Sequence, residues 1–220
     1  MRPKLSRTQK FSLLRKEITE LKRLLWQTPQ AHRQIVFYAA LAQYISFFQG
    51  ILTELLSRRA AISYITSDFD DPILADSQPG MHTFFLDKLF PLAAPFLDAK
   101  AIVYTMPDLN LFHIRRSIFE ANHIFVFHSL CSAHMGLRRD ALAHFDTVFC
   151  NGPYQEAEIR KLEALYRFKP KTLLQTGYYR LEKIHAGFKS YRQATASASS
   201  AKKILIAPSW QKENILETCG

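Results

Sequence analysis

One histidine in this 220-residue sequence stands at the point where an apolar run ends. The run "HIFVFHS", residues 123–129, has the composition of a buried strand, and His128 follows its last apolar residue. A histidine side chain can accept a proton near neutral pH, and the strand before it would fix its direction. We therefore predict that His128 is a general base. A purely structural histidine at the end of a strand is the alternative.

The other residues near His128 do not suggest metal chemistry. His123 and His134 flank it, but no His-x-His pair is present, and no Asp or Glu stands nearby at metal-ligand spacing. The three cysteines form no C-x-x-C pair, and their odd number argues against a disulfide framework. We therefore expect no metal, no cofactor and a reducing, cytosolic compartment.

Two further groups of residues have types that suit catalysis or anion binding. Asp108 and His113 follow the apolar run "KAIVYTM", where they could join His128 at one sheet edge; alternatively, Asp108 caps a helix over "LNLFHIRR". Paired cations occur at residues 115–116 and at Arg138 and Arg139. Such pairs can hold a phosphate, or they can be solvated faces of helices.

Short turns that contain polar residues or glycine follow several of the apolar runs. Gly152 and Gly177 lie in two of these turns, where glycine serves either a left-handed backbone or a close ligand approach. The candidate binding residues are Asp108, His113, Ser129, Arg138, Arg139, Gly152, Gly177, Tyr178, Arg180, Ser209 and Trp210.

The elements that must position these residues alternate between strands and helices. Apolar runs at 34–40, 60–67, 81–86, 100–106, 123–129, 146–152 and 171–177 predict strands. Helical patterns at 42–59, 87–99, 136–144 and 154–167 lie between them. This alternation predicts a parallel sheet covered on both faces, a Rossmann-like α/β domain over residues 34–188. Ligands of such sheets bind outside the carboxyl ends of the strands.

Residues 1–33 form a basic arm, with nine Lys or Arg against Glu17 and Glu20. Within it, an apolar stripe at helical spacing predicts an amphipathic helix, for which Ser12 is a candidate cap; the stripe is Phe11, Leu14, Ile18, Leu21 and Leu25. The stripe either packs on the rest of the protein or lies on an anionic membrane surface through residues 1–30.

The carboxyl-terminal part of the sequence changes character twice. Residues 189–203 are small and polar, which predicts a linker. Residues 204–220 predict a strand and a helical turn, the beginning of a second α/β domain that the sequence does not complete. Motifs of P-loop, dinucleotide-binding, serine-esterase and zinc-protease sites are absent from the sequence. The basic arm alone does not predict nucleic-acid binding.

Three stretches together resemble a known family. The runs 127–163, "LLQTGYYRLEKI" and "KILIAPSWQKENILETCG" resemble the CDP-glycerol glycerophosphotransferases of the teichoic-acid-polymerase type, and the similarity extends over residues 34–220. The resemblance implies a two-domain GT-B architecture with an acceptor domain first and a nucleotide-binding domain second. The chain would then correspond to the amino-terminal half of such an enzyme.

The resemblance also implies a reaction and a location. Enzymes of this family transfer glycerol phosphate from CDP-glycerol to a hydroxyl of a lipid-linked acceptor, at the cytoplasmic side of the cell membrane, and release CMP. His128 matches the family's histidine base, although the family's His-Gly-Thr is His128-Ser129-Leu130 here. Ser209 and Trp210 would lie on the donor side.

Two alternatives to this function stay open at the level of sequence. A GT-B glycosyltransferase that uses a nucleotide sugar for surface polysaccharide synthesis would need the same fold and the same acceptor-side base. A chain without turnover that binds only an acceptor or lipid would also fit the sequence.

Overall fold

The structure is a computed structural model, and it describes residues 6–75 and 78–195 together with Ile204 and Ile206. The chain divides into two compact units, Met1–Glu182 and Lys183–Gly220. The first unit carries the sheet and the predicted base. Of the second unit, the structure describes the remainder of one helix and the two isoleucines.

Seven parallel strands form one sheet in the first unit, as the sequence predicts. Their order across the sheet is β3-β2-β1-β4-β5-β6-β7, and each neighbouring pair is parallel. The strands are β1 Ile35–Ala39, β2 Ile62–Thr66, β3 Met81–Phe85, β4 Ala101–Tyr104, β5 Asn122–Val126, β6 Thr147–Cys150 and β7 Thr172–Gln175.

Helices precede and connect these strands. They are α1 Arg7–Lys22, α2 Gln30–Arg33, α3 Ile45–Ser57, α4 Phe90–Ala93, α5 Ala133–Gly136, α6 Pro153–Tyr166 and α7 Tyr179–Thr195. A π-helical turn over Arg23–Gln27 follows α1, and 3₁₀ turns cover Ala42–Tyr44, Pro72–Leu74 and Ala94–Phe96. No helix within the described residues is both long and apolar enough to cross a bilayer.

Successive strand residues point to opposite faces of the sheet, and strands β1, β2 and β4 are buried on both faces, whereas the edge strand β7 is mostly exposed. Val36 and Tyr38 belong to one hydrophobic cluster, which also includes residues of α4, α5 and α6. Phe37 and Ala39 belong to a second cluster, which includes residues of α3. The first unit is therefore a three-layer, Rossmann-like α/β domain.

The chain reverses its direction of travel across the sheet between β1 and β4. It passes from β1 to β2 and β3 on one side and then returns to place β4 on the other side of β1. The loops after β1 and β4 therefore leave the sheet in opposite directions and open a crevice at its carboxyl edge. Residues that follow β1, β4 and β5 surround this point.

The predicted helix over 136–144 is wrong. Helix α5 ends at Gly136, and the chain then makes isolated turns in which Ala141 N donates to Arg138 O and Ala143 N donates to Asp140 O. The Ala141 carbonyl accepts a hydrogen bond from the Asp108 backbone N–H instead of one within a helix. A tertiary contact thus overrides a helical sequence pattern.

The predicted helix after β4, which Asp108 would cap, is also absent from the structure. Asp108 has a φ of 66° and Asn110 a φ of 64°. Both residues are in the left-handed region, which a right-handed helix cannot include. The segment between β4 and β5 is therefore an irregular loop.

The arm and the linker begin and end differently from the prediction. Helix α1 starts at Arg7, where Ser6 and Gln9 form a capping box, so Ser12 is an interior residue and not the cap. Helix α7 continues to Thr195, inside the segment 189–203 predicted as a linker. The prediction of a linker rested on the small and polar composition of this segment. It gave too little weight to the good helix propensity of Lys189, Arg192 and Gln193. The start of the second domain stays a prediction.

Candidate active site

His128 lies just beyond the carboxyl end of β5, beside the crevice between β1 and β4. It is partly exposed, and its Nδ1 is 3.0 Å from the carbonyl oxygen of Thr105, the residue after β4. A carbonyl oxygen can only accept, so Nδ1 must carry the proton. In the neutral ring Nε2 then holds the lone pair that can take up another proton.

Aromatic rings surround the His128 imidazole. Tyr44, which follows β1, lies 5.6 Å from it in a stacked arrangement, and Phe47 of α3 lies 5.9 Å away. Tyr178 stacks on Phe47 at 6.3 Å, and the Arg180 guanidinium lies 5.4 Å from the Phe47 ring. The flat apolar faces beside the imidazole suit the carbon skeleton of a sugar or polyol, and Arg180 suits a phosphate.

The backbone after His128 is held by side chains from the next two strand ends. The Tyr178 hydroxyl donates to the His128 carbonyl at 3.2 Å. Asn151, which follows β6, donates from Nδ2 to the Ser129 carbonyl at 3.0 Å. These bonds fix the direction in which the histidine leaves the strand.

Gln155 completes this support from the first turn of α6. Its side chain is fully buried; Nε2 donates to the Cys131 carbonyl at 2.9 Å, and Oε1 accepts from the Asn151 backbone N–H at 2.8 Å. One amide therefore joins the loop after β5 to the loop after β6. Because a buried amide that loses a partner is destabilising, this bridge restrains both loops.

A cleft of about 420 Å³ opens between α3 and the turn after β7. Phe47 and Tyr178 line it and also surround His128, whereas His128 itself is beside the cleft and not part of its lining. Gly177 and Arg180 are on its rim. A ligand in the cleft would thus reach the imidazole along the two shared aromatic side chains.

The Tyr178 phenol is a hydrogen-bond donor over the neutral pH range. Burial raises its pKa, and the Arg180 guanidinium opposes part of that rise. The phenol therefore keeps its proton, which it donates to the His128 carbonyl.

Several of the predicted binding residues meet around His128. Ser129 lies in the loop after β5, Gly177 and Tyr178 lie in the turn after β7, and Arg180 lies in the first turn of α7. Gly177 has a φ of 71°, which a glycine adopts without strain. Gly152, in contrast, is extended, with a φ of −179°, so it is not a left-handed turn residue as the sequence suggested.

Arg138 and Arg139 are not brought to this group. Arg138 pairs with Asp140 at 3.2 Å and lies 4.9 Å from the Phe112 ring. Arg139 lies 4.9 Å from the ring of Tyr166, the last residue of α6. Because α6 begins at the carboxyl edge and runs back along the sheet, its last residue lies about 20 Å from its first. Whether this arginine pair holds a phosphate stays a prediction.

Asp108 and His113 lie in the irregular loop after β4. Asp108 donates its backbone N–H to Ala141, and its Oδ1 is buried with no hydrogen-bond partner in the structure. His113 is exposed. No hydrogen bond or ring contact joins either residue to His128 among the contacts of the described chain, and their binding role stays a prediction. Ser209 and Trp210 lie outside the described residues.

Sequence reasoning missed Tyr44, Phe47, Thr105 and Gln155. The signal for the first two was present, because "AQYISFFQG" places aromatic residues in the helix start that directly follows β1. Thr105 acts through its carbonyl, which no side-chain pattern reveals. Within the described ranges, no cluster of three His, Cys, Asp or Glu residues could hold a metal ion.

Comparison with known proteins gives one solved structure of similar fold. No protein-family model matches the sequence, and no curated protein matches it. A structure of the wall teichoic acid polymerase TagF, soaked with CDPG, is similar at 12% sequence identity and a TM-score of 0.45. The match covers 88% of this chain and 54% of that chain, so this chain spans about half the length of the structure it matches.

Proposed function

We propose that this chain supplies the acceptor side of a transferase that moves glycerol phosphate from CDP-glycerol to a hydroxyl of a lipid-linked acceptor. The observation that carries the proposal is the Nδ1 contact of His128 with the Thr105 carbonyl. That contact selects the tautomer with a basic Nε2 at the carboxyl edge of the sheet. The sequence resemblance to the glycerophosphotransferases supplies the reaction type.

In the proposed step, Nε2 of His128 takes the proton of the acceptor hydroxyl. The hydroxyl oxygen forms a bond to the phosphorus that carries glycerol, and the bond from that phosphorus to the CMP oxygen breaks with its electron pair. General base catalysis of this kind contributes about 10²–10⁴ in rate. Thr105 holds the ring in the productive tautomer and direction, which limits the motion needed during transfer.

The cleft beside His128 is proposed to hold the acceptor. Phe47 and Tyr178 offer apolar ring faces to its carbon skeleton, and Arg180 offers charge to a phosphate. The proposal assigns the CMP portion of the donor to Ser209, Trp210 and a second domain, which the described residues do not include.

A transfer assay with the 220-residue chain joined to the proposed donor-binding domain tests this function. The chain is incubated with CDP-glycerol that is labelled in its glycerol phosphate and with membranes as the acceptor source, and CMP and labelled lipid are measured. We expect His128→Asn to lower turnover by about 10²–10⁴-fold. His185→Asn, at an exposed histidine of α7 that is not among the predicted site residues, is the matched control and should leave turnover unchanged.

Three results would overturn the proposal. Equal rates for wild type and His128→Asn would remove the base. Turnover of nucleotide sugars without turnover of CDP-glycerol would indicate a glycosyltransferase. Binding of the acceptor with no turnover of either donor would leave an acceptor-binding module without transfer chemistry.

A further inference from the structure

The apolar stripe of α1 is divided into two halves by the fold. In the second half, Leu21 and Leu25 pack against the core beside the buried Leu24. In the first half, Phe11 is 62% exposed, Leu14 37% and Ile18 43%. Half of the stripe therefore docks on the protein, and the other half stays substantially exposed among the residues that the structure describes.

The contacts of α1 with β3 show where the exposed half lies. The Arg23 guanidinium donates to the carbonyl of Thr83 inside β3, and the Lys16 ammonium lies 5.4 Å from the ring of Phe85, the last residue of β3. Glu17 Oε2 accepts the Asp87 backbone N–H at 3.0 Å, beyond the strand. Helix α1 thus runs antiparallel to β3, and its first half extends past the carboxyl edge that also carries His128.

Cations surround the exposed half. Every charged residue from 6 to 16 is basic, namely Arg7, Lys10, Arg15 and Lys16. The Arg15 guanidinium lies 5.6 Å from the Phe11 ring. Lys88, from the loop after β3, lines a cavity of about 360 Å³ together with Arg7, Lys10, Phe11 and Leu14. The carboxylates of Glu17 and Asp87 also line this cavity, so three cations face two anions there.

This combination of exposed apolar side chains and clustered cations matches one kind of surface. Apolar side chains of an interfacial helix enter the boundary between headgroups and acyl chains, while Lys and Arg reach the lipid phosphates. We propose that the segment Arg7–Ile18 docks on a membrane that contains anionic phospholipids, with Phe11, Leu14 and Ile18 inserted at the interface. The carboxyl edge of the sheet would then face the membrane. This inference concerns attachment and does not require the transfer reaction.

Vesicle sedimentation with the complete chain tests the proposal. Vesicles of phosphatidylcholine alone are compared with vesicles that also contain phosphatidylglycerol. We expect partitioning at least about ten-fold stronger on the anionic vesicles, with a loss as salt is raised. Phe11→Asp should lower partitioning on anionic vesicles by at least about ten-fold. Lys10→Gln should lower it by about five-fold, the effect of one cation near the surface.

A matched exposed phenylalanine gives the control. Phe96, in the turn after α4, is 58% exposed, and Phe96→Asp should change partitioning by less than about two-fold. Because Phe11 and Phe96 are both exposed, neither variant is expected to unfold the protein, which circular dichroism checks. Equal losses for the two variants, or equal binding to neutral and anionic vesicles, would overturn the proposal.

Self-association is the other possible use of the exposed half. If wild type ignores both vesicle types and forms a dimer that Phe11→Asp dissociates, as measured by light scattering, the occupant is a second copy and the membrane proposal is wrong. The sedimentation assay contains no donor and no acceptor. Its failure is therefore distinguishable from failure of the proposed transferase function.

Discussion

The two ends of strand β5 place the same side chain in opposite surroundings. His123, near the amino end, is fully buried; its ring stacks on Tyr104 at 5.8 Å, and its Nε2 accepts the Ser117 backbone N–H at 3.3 Å. His128, after the carboxyl end, is partly exposed and donates from Nδ1 to Thr105. At one end the ring nitrogen Nε2 accepts a hydrogen bond that holds the fold, and at the other end Nδ1 makes the hydrogen bond, which leaves the lone pair on Nε2.

The electrostatic surroundings of His123 explain its role. Burial lowers its pKa to about 4; the Arg116 guanidinium lowers it further, and the Asp146 carboxylate opposes the decrease. Burial would raise the pKa of Asp146, but the His123 backbone N–H and Arg116 together lower it below its ordinary value. His123 therefore stays neutral at neutral pH. Two histidines on one strand thus differ because of what surrounds them and not because of sequence position alone.

Deleting each ring in turn breaks the comparison most directly. His123→Ala removes a buried ring and leaves the Ser117 N–H without an acceptor, so we expect a loss of about 3 kcal/mol in the free energy of unfolding. His128→Ala, at a partly exposed site, should cost less than about 1 kcal/mol. Urea denaturation of both variants at neutral pH measures the difference. Equal losses would show that His128 is also structural.

Lowering the pH should destabilise the fold through His123. Its folded pKa is below the ordinary value of 6.5, so the folded state binds fewer protons, and the stabilisation present above pH 6.5 is lost as the pH falls towards 4. Between about pH 7.5 and about pH 5 the loss from this one group is about 2 kcal/mol.

His123→Phe isolates that contribution, because the ring can still stack on Tyr104 but no longer titrates. Denaturation of wild type and variant at the two pH values gives four free energies of unfolding. We expect the pH-dependent loss of the variant to be smaller than that of wild type by about 2 kcal/mol. A variant with an unchanged pH dependence would mean that His123 is protonated in the folded state as easily as in the unfolded one.

At the carboxyl end, Gln155 is the residue whose loss should matter most for the placement of His128. Gln155→Leu leaves the Cys131 carbonyl and the Asn151 N–H unpaired, with an expected cost of about 1.5 kcal/mol. If the loop after β5 shifts as a result, turnover should fall by about ten-fold. That fall is larger than the loss of stability alone would cause in a variant that stays folded. Gln175→Leu, at an exposed glutamine of β7, should cost less than about 0.5 kcal/mol.

The sequence predicted the seven strands because buried parallel strands are continuous apolar runs. It also predicted that His128 lies at the carboxyl edge, because position after a strand determines the edge. Helices α3 and α6 were predicted because their periodic patterns are long. These features depend on local composition, which the sequence contains in full.

The neighbours of His128 depend on sheet order, which local patterns do not contain. Tyr44 and Phe47 follow β1, and His128 follows β5. In the sheet a single strand, β4, separates β1 from β5, so these residues come close together. Likewise, the pattern over 136–144 favours a helix, but the Asp108 N–H captures the Ala141 carbonyl from a distant loop. Long-range pairing therefore decides the part of the site that sequence could not predict.

Substitutions of the two glycines next to the site test whether the backbone at the carboxyl edge positions His128. Of the variants in this comparison, they should have the smallest effects on stability. Gly177→Ala places a Cβ at a φ of 71°, which should cost about 1 kcal/mol in unfolding free energy. Gly152→Ala is the control: the backbone there is extended, and the new Cβ would lie 3.3 Å from the ring of the exposed Tyr154, which can move. Its expected cost is about 0.5 kcal/mol, as for alanine at the start of a helix.

Because Gly177 precedes Tyr178, strain there should also weaken the hydroxyl bond to the His128 carbonyl and lower turnover. Equal stability and equal turnover of the two variants would show that the turn after β7 does not position the histidine.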